Sequence, residues 1–219
     1  MLPVTQPPTW RIPLRGPLFE GHCVRVGWPE PDEIDSLTAL RNRPQVCAKF
    51  LDPRPLDPQR NREWIDHGMR RPYEALLAIR LKRGGALVGA IGWSRGDPSE
   101  GSFELGRVMI DADVLRRQRR NFPPGYAGVA TDAGTALRDF GFRALGLTVM
   151  RSVFIDDNRL SRRALLLGGA RIVGGSRMQR ADGSEVAVTR LELRREEWEG
   201  LVEGRKTFPG NPYWRQADG

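Results

Sequence analysis

PGYAGVATDAG, residues 124–134, is a turn of small residues that leads into an amphipathic helix pattern. An apolar strand, TVMRSVF at 148–154, follows this helix, and DNRLS at 157–161 then opens a second helix. One helix start therefore precedes a buried strand and another follows it. This order favours a phosphate-binding helix end beside a cleft that can hold a thioester.

The turn has the properties that an anion-binding helix start requires. Backbone N–H groups at a helix start have no partner within the helix and carry partial positive charge. Because Gly128 and Ala130 lack bulky side chains, a pyrophosphate could approach the amides between Gly125 and Thr131. An ordinary loop before a helix is the alternative interpretation of the same residues.

The chain as a whole alternates helix and strand patterns, which predicts a mixed α/β fold. Gly84-Gly85 and Asp182-Gly183 separate pairs of strand patterns and predict two hairpins. The predicted order is a strand (23–28), helices (31–41, 44–50 and 58–69), strands (75–81, 87–93 and 102–110), a helix (131–144), a strand (148–154), a helix (158–167), two strands (171–178 and 185–193) and a helix (195–202). A basic segment at 111–124 is expected to be irregular.

The length of 219 residues and the share of hydrophobic residues, 39%, suit one globular domain with arms. We expect a proline-rich arm at 1–18, a domain at 19–203 and a tail at 204–219, with Trp10 and Leu14 as candidates to pin the arm. No apolar run reaches the length of a membrane span, and the N-terminus lacks a signal-peptide core. The expected location is the cytoplasm.

The few cysteines and histidines and the net charge limit which reactions and ligands are expected. Cys23 and Cys47 are expected to be reduced, and with His22 and His67 as the only histidines neither a metal site nor a histidine triad is expected. The formal net charge of +8 favours an anionic ligand or partner, such as a nucleotide cofactor, a nucleotide-sugar, an acidic carrier protein or RNA. An arginine-rich solvated surface would explain the charge equally well.

The order of elements and several short motifs resemble the GNAT acyltransferase superfamily over about residues 23–198. The nearest resemblance is to the branch of the ribosomal-protein N-acetyltransferases and their relatives that act on amino sugars. The motifs are LRNRPQV at 40–46, REWI at 62–65, LVGAIG at 87–92, ELG at 104–106, GVAT at 128–131, and Asp157-Asn158 with Ser161 and Gly169. The resemblance implies a splayed, mixed sheet of six or seven strands flanked by helices.

The resemblance also implies acetyl-coenzyme A, or another acyl-coenzyme A, as cofactor. The implied cofactor-binding residues are Arg107, Val108, Met109, Ile110, Arg119, Arg120, Gly125, Tyr126, Gly128, Val129, Ala130, Thr131 and Asn158. One departure is Gly125, which stands where the family motif has Arg or Gln. RRQRR at 116–120 could replace that contact, reach the 3'-phosphate, dock an acidic carrier protein or form a solvated charge run.

The implied reaction is direct transfer of an acyl group to a primary amine of a small molecule, such as an amino sugar, or of a protein N-terminus. Glu104 is the candidate general base, with a surface carboxylate paired to arginine as the alternative. Ser161 is the candidate donor to the departing thiolate, or a simple cap. Asn158 either caps its helix or also orients the cofactor.

Two other functions stay open on the sequence. The same fold could use an acyl carrier protein or an aminoacyl-tRNA as donor, which the arginines at 116–120 would favour. A non-catalytic module that binds a cofactor or RNA is the other, although no aromatic-basic interleaving typical of RNA recognition is present. The basic composition favours an anionic acceptor, and either a monomer or a homodimer is compatible with the sequence.

Overall fold

A mixed sheet of eight strands is the centre of the structure, a computed structural model that describes residues 10, 12–13, 16–68, 73–123, 126 and 128–206. The strands are β1 (Pro17–Glu20), β2 (Val24–Gly27), β3 (Ala75–Leu81), β4 (Leu87–Asp97), β5 (Ser102–Ile110), β6 (Val149–Ile155), β7 (Arg171–Gln179) and β8 (Glu185–Arg194). The helices are α1 (Pro31–Arg41), α2 (Pro44–Cys47), α3 (Pro58–Gly68), α4 (Ala112–Arg117), α5 (Val129–Arg143), α6 (Arg159–Leu167) and α7 (Arg195–Lys206), with a 3-10 turn at Arg119–Asn121.

The sheet separates between its two central strands. Its order is β1-β2-β3-β4-β5-β6-β8-β7, and β5 and β6 are parallel neighbours while the other pairs are antiparallel. β5 pairs with β6 only where Ser102–Leu105 lies beside Val149–Ser152. β6 continues to pair with β8 as far as Ile155. Beyond Leu105 the two central strands therefore diverge, which is the splay that the resemblance implied.

Two bulges interrupt the pairing of β4 with β5. From Ala90 to Gly92, β4 advances two residues while β5 advances three, from Gly106 to Met109, and Arg107 is the extra residue with φ 55°. A second mismatch, between Ser94 and Asp97 on β4, contains Arg95 with φ 52°. In the described part of the chain these two arginines are the non-glycine residues with positive φ. This conformation costs an L-residue about 1–2 kcal/mol.

Helices cover both faces of the sheet. α5 supplies Val129 and Leu137 to the larger core cluster, which also holds Phe103 and Leu105 of β5. α1 and α3 cover the other face with a smaller cluster that includes Met109 of β5. Because side chains alternate along a strand, Glu104 faces the α1 and α3 side, opposite Phe103 and Leu105.

The predicted fold class is confirmed, and the strand count is corrected to eight. The additional strand is β1, which starts at Pro17 and so lies partly inside the arm expected at 1–18. Proline is tolerated there because β1 is an edge strand. Trp10 of the arm is buried in the larger core. The rest of the arm before Ile12, Leu14 and the tail after residue 206 lie outside the described residues.

The connection at 111–124, which was expected to be irregular, is partly helical. Asp111 caps α4, because its carboxylate accepts hydrogen bonds from the N–H groups of Asp113 (2.9 Å) and Val114 (3.1 Å). The same carboxylate accepts a hydrogen bond from Arg43 Nη2 at 2.9 Å. A carboxylate cap that is also held by a distant arginine fixes this segment against the start of α2.

Two further observations concern the described residues. Cys23 and Cys47 are both free, as predicted. None of the helices in the described ranges has the length and the apolar character that crossing a bilayer requires.

Candidate active site

The topology brings several of the predicted site residues to one edge of the sheet, whereas Glu104 lies where β5 still pairs with β6. β5 and β6 are parallel, so their carboxyl ends, Ile110 and Ile155, point to the same edge. Three residues separate the end of β6 from the start of α6, and α5 begins against the turn that precedes β2. The three pairings from β2 to β5 are all antiparallel, so β2 and β5 run in opposite directions. The turn at the start of β2 therefore lies at the same edge as the carboxyl end of β5. Two helix starts therefore flank the splay.

The start of α5 has no side-chain cap. Gly128 occupies the N-cap position with φ 114°, and a Cβ added there would meet no atom within 4 Å. The first-turn N–H groups, from Val129 to Thr131, have no acceptor within a helix. Ala130 and Thr131 are half-buried, and the Val129 side chain is buried. This arrangement fits a phosphate group. Gly125, the departure from the family motif, lies outside the described residues.

A buried carboxylate, Asp132, holds the surroundings of this helix start together. Its Oδ1 accepts a hydrogen bond from the N–H of His22 (2.7 Å), and its Oδ2 accepts from the N–H of Cys23 (2.8 Å) and from the hydroxyl of Tyr126 (2.8 Å). The Tyr126 ring stacks on Phe122 at 5.0 Å. Burial, reinforced by the charge of Asp132, raises the pKa of the Cys23 thiol. Asp132 was not predicted as a functional residue, although an acid in the first turn of an apolar helix was a visible signal.

The edge of β5 that faces the splay is unpaired with β6 from Gly106 onward. Val108 and Ile110 pack against the larger core, and Met109 belongs to the smaller one. The backbone groups of this segment are therefore fixed in place at the edge. Hydrogen-bonding groups of a diverging strand are available to an extended ligand that lies along it.

The Arg107 side chain leaves the splay and reaches α3. Its guanidinium lies 4.5 Å from the centroid of the Trp64 ring, and its Nη2 donates a hydrogen bond to Glu74 Oε2 at 2.9 Å. Burial lowers the pKa of this guanidinium, and the charges of Glu74 and Glu104 oppose that change. Arg107 was predicted as a cofactor-binding residue, and this side-chain contact was not predicted.

Glu104 lies beside open space on the α1 and α3 face. Its Oε2 accepts a hydrogen bond from Arg95 Nη1 at 2.7 Å, so the arginine pairing weighed above is present. Its Oε1 has no partner among the described residues. A Cβ added at Gly106, two residues along β5, would meet no atom within 4 Å. The carboxylate is 22% exposed and adjoins this open space.

The start of α6 is capped by its own asparagine. Asn158 Oδ1 accepts a hydrogen bond from the N–H of Ser161 at 3.2 Å, which confirms the capping role of Asn158. Ser161 is half-buried, and its hydroxyl has no partner in the part of the chain that the structure describes. Both residues follow the carboxyl end of β6, as the sequence predicted.

The arginines of the 116–120 segment surround a shallow surface depression just before the α5 turn. Arg116 pairs with Asp113 at 3.0 Å. The other side chains of the depression, Arg117, Arg119 and Arg120, are exposed. The cluster presents positive charge to solvent without closing a pocket.

A sheet that separates between two parallel strands, with an uncapped helix start at the same edge, defines the fold class of the N-acyltransferases. Residues 25–171 match the family model described as "Acetyltransferase (GNAT) domain". The chain belongs to this family. No curated protein matches the chain significantly in sequence.

Several solved structures share the fold. A GCN5-related N-acetyltransferase from Brucella melitensis is 22% identical with a TM-score of 0.68, over 92% of this chain and 89% of its own. Spermidine N-acetyltransferase from Vibrio cholerae, solved with coenzyme A and spermine, is 13% identical with a TM-score of 0.67, over 80% and 98%. The microcin C7 self-immunity acetyltransferase MccE, solved with acetyl-CoA and AMP, is 15% identical with a TM-score of 0.62, over 78% and 92%. The branch of ribosomal-protein and amino-sugar acetyltransferases stays a prediction.

Proposed function

We propose that this chain transfers an acyl group, normally acetyl, from acyl-coenzyme A to a primary amine. The acceptor is a small molecule, such as an amino sugar, or a protein N-terminus. The observation that carries the proposal is the uncapped start of α5 beside the diverging edge of β5. Family membership supports it, and two of the relatives above were solved with coenzyme A or acetyl-CoA.

The chain offers three sets of groups to the cofactor. The first-turn amides of α5, from Gly128 to Thr131, would hold the pyrophosphate. The free edge of β5, from Arg107 to Ile110, would bond the amides of the pantetheine arm. The remaining contacts, with the adenosine phosphate and the sulfur end, are assigned to Arg119, Arg120, Gly125, Tyr126 and Asn158. When bound, acetyl-coenzyme A supplies the acyl group as a thioester, whose sulfur the acceptor nitrogen displaces directly.

Glu104 would accept the proton that the acceptor must lose. A free alkylamine is protonated at neutral pH, because its pKa is far above 7, and an ammonium nitrogen has no electron pair for attack. Oε1 of Glu104 is the available oxygen, since Oε2 is bound to Arg95. The open space at Gly106 would admit the amine beside this oxygen.

Ser161 would act on the leaving group, the thiolate of coenzyme A. Its hydroxyl stands in the first turn of α6, where the helix dipole favours a developing negative charge. There Ser161 Oγ would donate a hydrogen bond, or its proton, to the departing sulfur. Asn158 would keep this turn in place through its cap and use its amide N–H groups for the cofactor.

The experiment that tests the proposal is thermal unfolding with acetyl-coenzyme A and with coenzyme A, using ATP as the control ligand. A ligand at about a hundred times its Kd adds about 2.7 kcal/mol of stability. For a chain of this length that corresponds to a Tm increase of about 5–11 °C. Thiol release with a panel of amines follows. Equal shifts with ATP, or no shift with either coenzyme A form, would contradict the proposal.

A second candidate function keeps the fold and changes the donor to an acyl carrier protein or an aminoacyl-tRNA. The exposed arginines at 116–120 favour it, because both donors are anionic. Replacing Arg117, Arg119 and Arg120 by glutamine should then abolish use of the macromolecular donor and spare acetyl-coenzyme A. Loss of acetyl-coenzyme A use instead would assign these arginines to the cofactor. Binding without any transfer would indicate a non-catalytic module that binds a cofactor or RNA.

A further inference from the structure

Four charged side chains of alternating sign lie in a row on the sheet face that α1 and α3 cover. Arg95 pairs with Glu104 at 2.7 Å, and Arg107 pairs with Glu74 at 2.9 Å. The charges of both carboxylates, Glu74 and Glu104, oppose the effect of burial, which lowers the pKa of Arg107. The Trp64 ring packs against the Arg107 guanidinium. The open space beside Gly106 lies on the same face, two residues along β5 from Glu104.

Both arginines of the row occupy backbone positions that suit glycine better. Arg95 and Arg107 each stand at a bulge with positive φ, and no other non-glycine residue among those described does so. Bulges next to active sites commonly re-aim a side chain, and residues kept in unfavourable conformations concentrate at functional sites. Here each bulge belongs to an arginine that pairs with a glutamate, Arg95 with Glu104 and Arg107 with Glu74. A regular strand conformation would not place the two guanidinium groups in these positions.

The arginines also have unused binding capacity. The Arg95 side chain is 67% exposed and contacts Glu104 through one nitrogen. The Arg107 Nε is buried and has no acceptor among the described residues. A buried donor without an acceptor is unfavourable, and a ligand oxygen would satisfy it. Two guanidinium groups with free donors beside an open space form a site for an anion.

We propose that the acceptor amine carries its own anionic group, a carboxylate or a phosphate, which Arg95 and Arg107 bind. This inference rests on the proposed acyl transfer and specifies its substrate class. The anionic group takes Arg95 from Glu104, so that Glu104 meets the ammonium end of the same molecule. One proton then passes from that ammonium to the Glu104 carboxylate. An amine without an anionic group leaves Arg95 on Glu104 and is a poor substrate.

The test compares acceptors that differ only in the anionic group. β-Alanine is paired with β-alaninamide and O-phosphoethanolamine with ethanolamine, and the transfer assay is run with acetyl-coenzyme A. The anionic member of at least one pair should have a kcat/KM about tenfold or more above its neutral partner. The pair that discriminates shows whether a carboxylate or a phosphate is recognised.

Variants of Arg95 separate a binding role from a structural one. Arg95→Gly suits the backbone angle, so it should unfold at the wild-type temperature or above and yet lose the preference for the anionic acceptor. Arg95→Gln should raise the KM of the anionic acceptor about tenfold, whereas the neutral acceptor should not lose activity, because this variant no longer holds Glu104 in an ion pair. Arg177→Gln is the control, since Arg177 is a similarly exposed (69%) ion-paired arginine on β7.

Failure of this inference is distinguishable from failure of the proposed function. Wild-type protein that acetyl-coenzyme A stabilises, but that shows no preference in either pair, would overturn the inference alone. An equal effect of Arg95→Gln on both members of a pair would also overturn it. The absence of stabilisation by coenzyme A would remove the proposed function, and this inference with it.

Discussion

Asp132→Asn should destabilise the protein and loosen the start of α5. The wild-type carboxylate is 7% exposed and accepts hydrogen bonds from two backbone N–H groups and one hydroxyl. An asparagine offers one acceptor oxygen, and its NH2 group must face the N–H of either His22 or Cys23. Tyr126 can rotate its hydroxyl to accept from that NH2 group. The turn before β2 therefore loses at least one of its two contacts with α5.

The magnitude follows from the number and type of these hydrogen bonds. A hydrogen bond to a charged group contributes about 1.5–3 kcal/mol, and one between neutral groups about 0.5–1.5 kcal/mol. One lost bond and two weakened bonds give a loss of about 3 kcal/mol in the free energy of unfolding. For a chain of this length the Tm should fall by about 6–12 °C.

The assay is thermal unfolding with and without saturating coenzyme A. Tyr126→Phe removes one of the three contacts and should fall between wild type and Asp132→Asn. The control is Asp35→Asn, which removes an exposed ion pair with Arg62 and should cost less than about 1 kcal/mol. If Asp132→Asn unfolds at the wild-type temperature with the full coenzyme A shift, Asp132 does not hold the helix start.

Three further variants test other parts of the site and the sheet. Gly128→Ala forces alanine to φ 114°, so the free energy of unfolding should fall by about 1–3 kcal/mol, and the Tm increase caused by coenzyme A should become smaller. An unchanged Tm increase would argue against phosphate binding at this turn. Asn158→Asp keeps the cap of α6, so the stability should not change, and coenzyme A binding measured by calorimetry should weaken if the Asn158 amide contacts the cofactor. Unchanged binding would show that Asn158 only caps the helix. Hydrogen bonds from Arg151 are the largest cause that lowers the pKa of Glu100 from 4.5 to about 2, so the stabilisation by Glu100 is present above pH 4.5 and is lost as the pH falls towards 2. Glu100→Gln should therefore reduce the pH dependence of the urea-unfolding midpoint between pH 4.5 and 2. A pH profile identical to that of the wild type would refute this assignment.

Elements with strong local patterns were predicted well from the sequence. The predicted bounds of β3 and β5 are those observed, and α5 begins at Val129, two residues before the predicted start at Thr131. Alternating apolar residues and small-residue turns act over a few residues, so they are visible without tertiary information. β1 was missed because its four residues contain too little pattern to register.

The missed parts of the candidate site depend on distant contacts. Asp132 meets His22 and Cys23, which are 110 and 109 residues away in the chain. The bulge at Arg107 adds one residue to an otherwise regular strand, and no local pattern marks it. The ion pair of Arg107 with Glu74 follows from that bulge, so it was equally invisible. Local composition therefore predicted the helix starts better than these contacts between distant residues.

The splay has a consequence for how the molecule opens in solution. The strands β1–β5 and the strands β6–β8 meet at only four paired positions, Ser102–Leu105 with Val149–Ser152, and this junction is parallel. Parallel pairing is slightly weaker per residue than antiparallel pairing. We expect the sheet to open as two cooperative units on either side of this junction, and amide hydrogen exchange should report them as separate groups of protection. A ligand that bridges both units would slow exchange on the two sides together, including at amides that it does not touch.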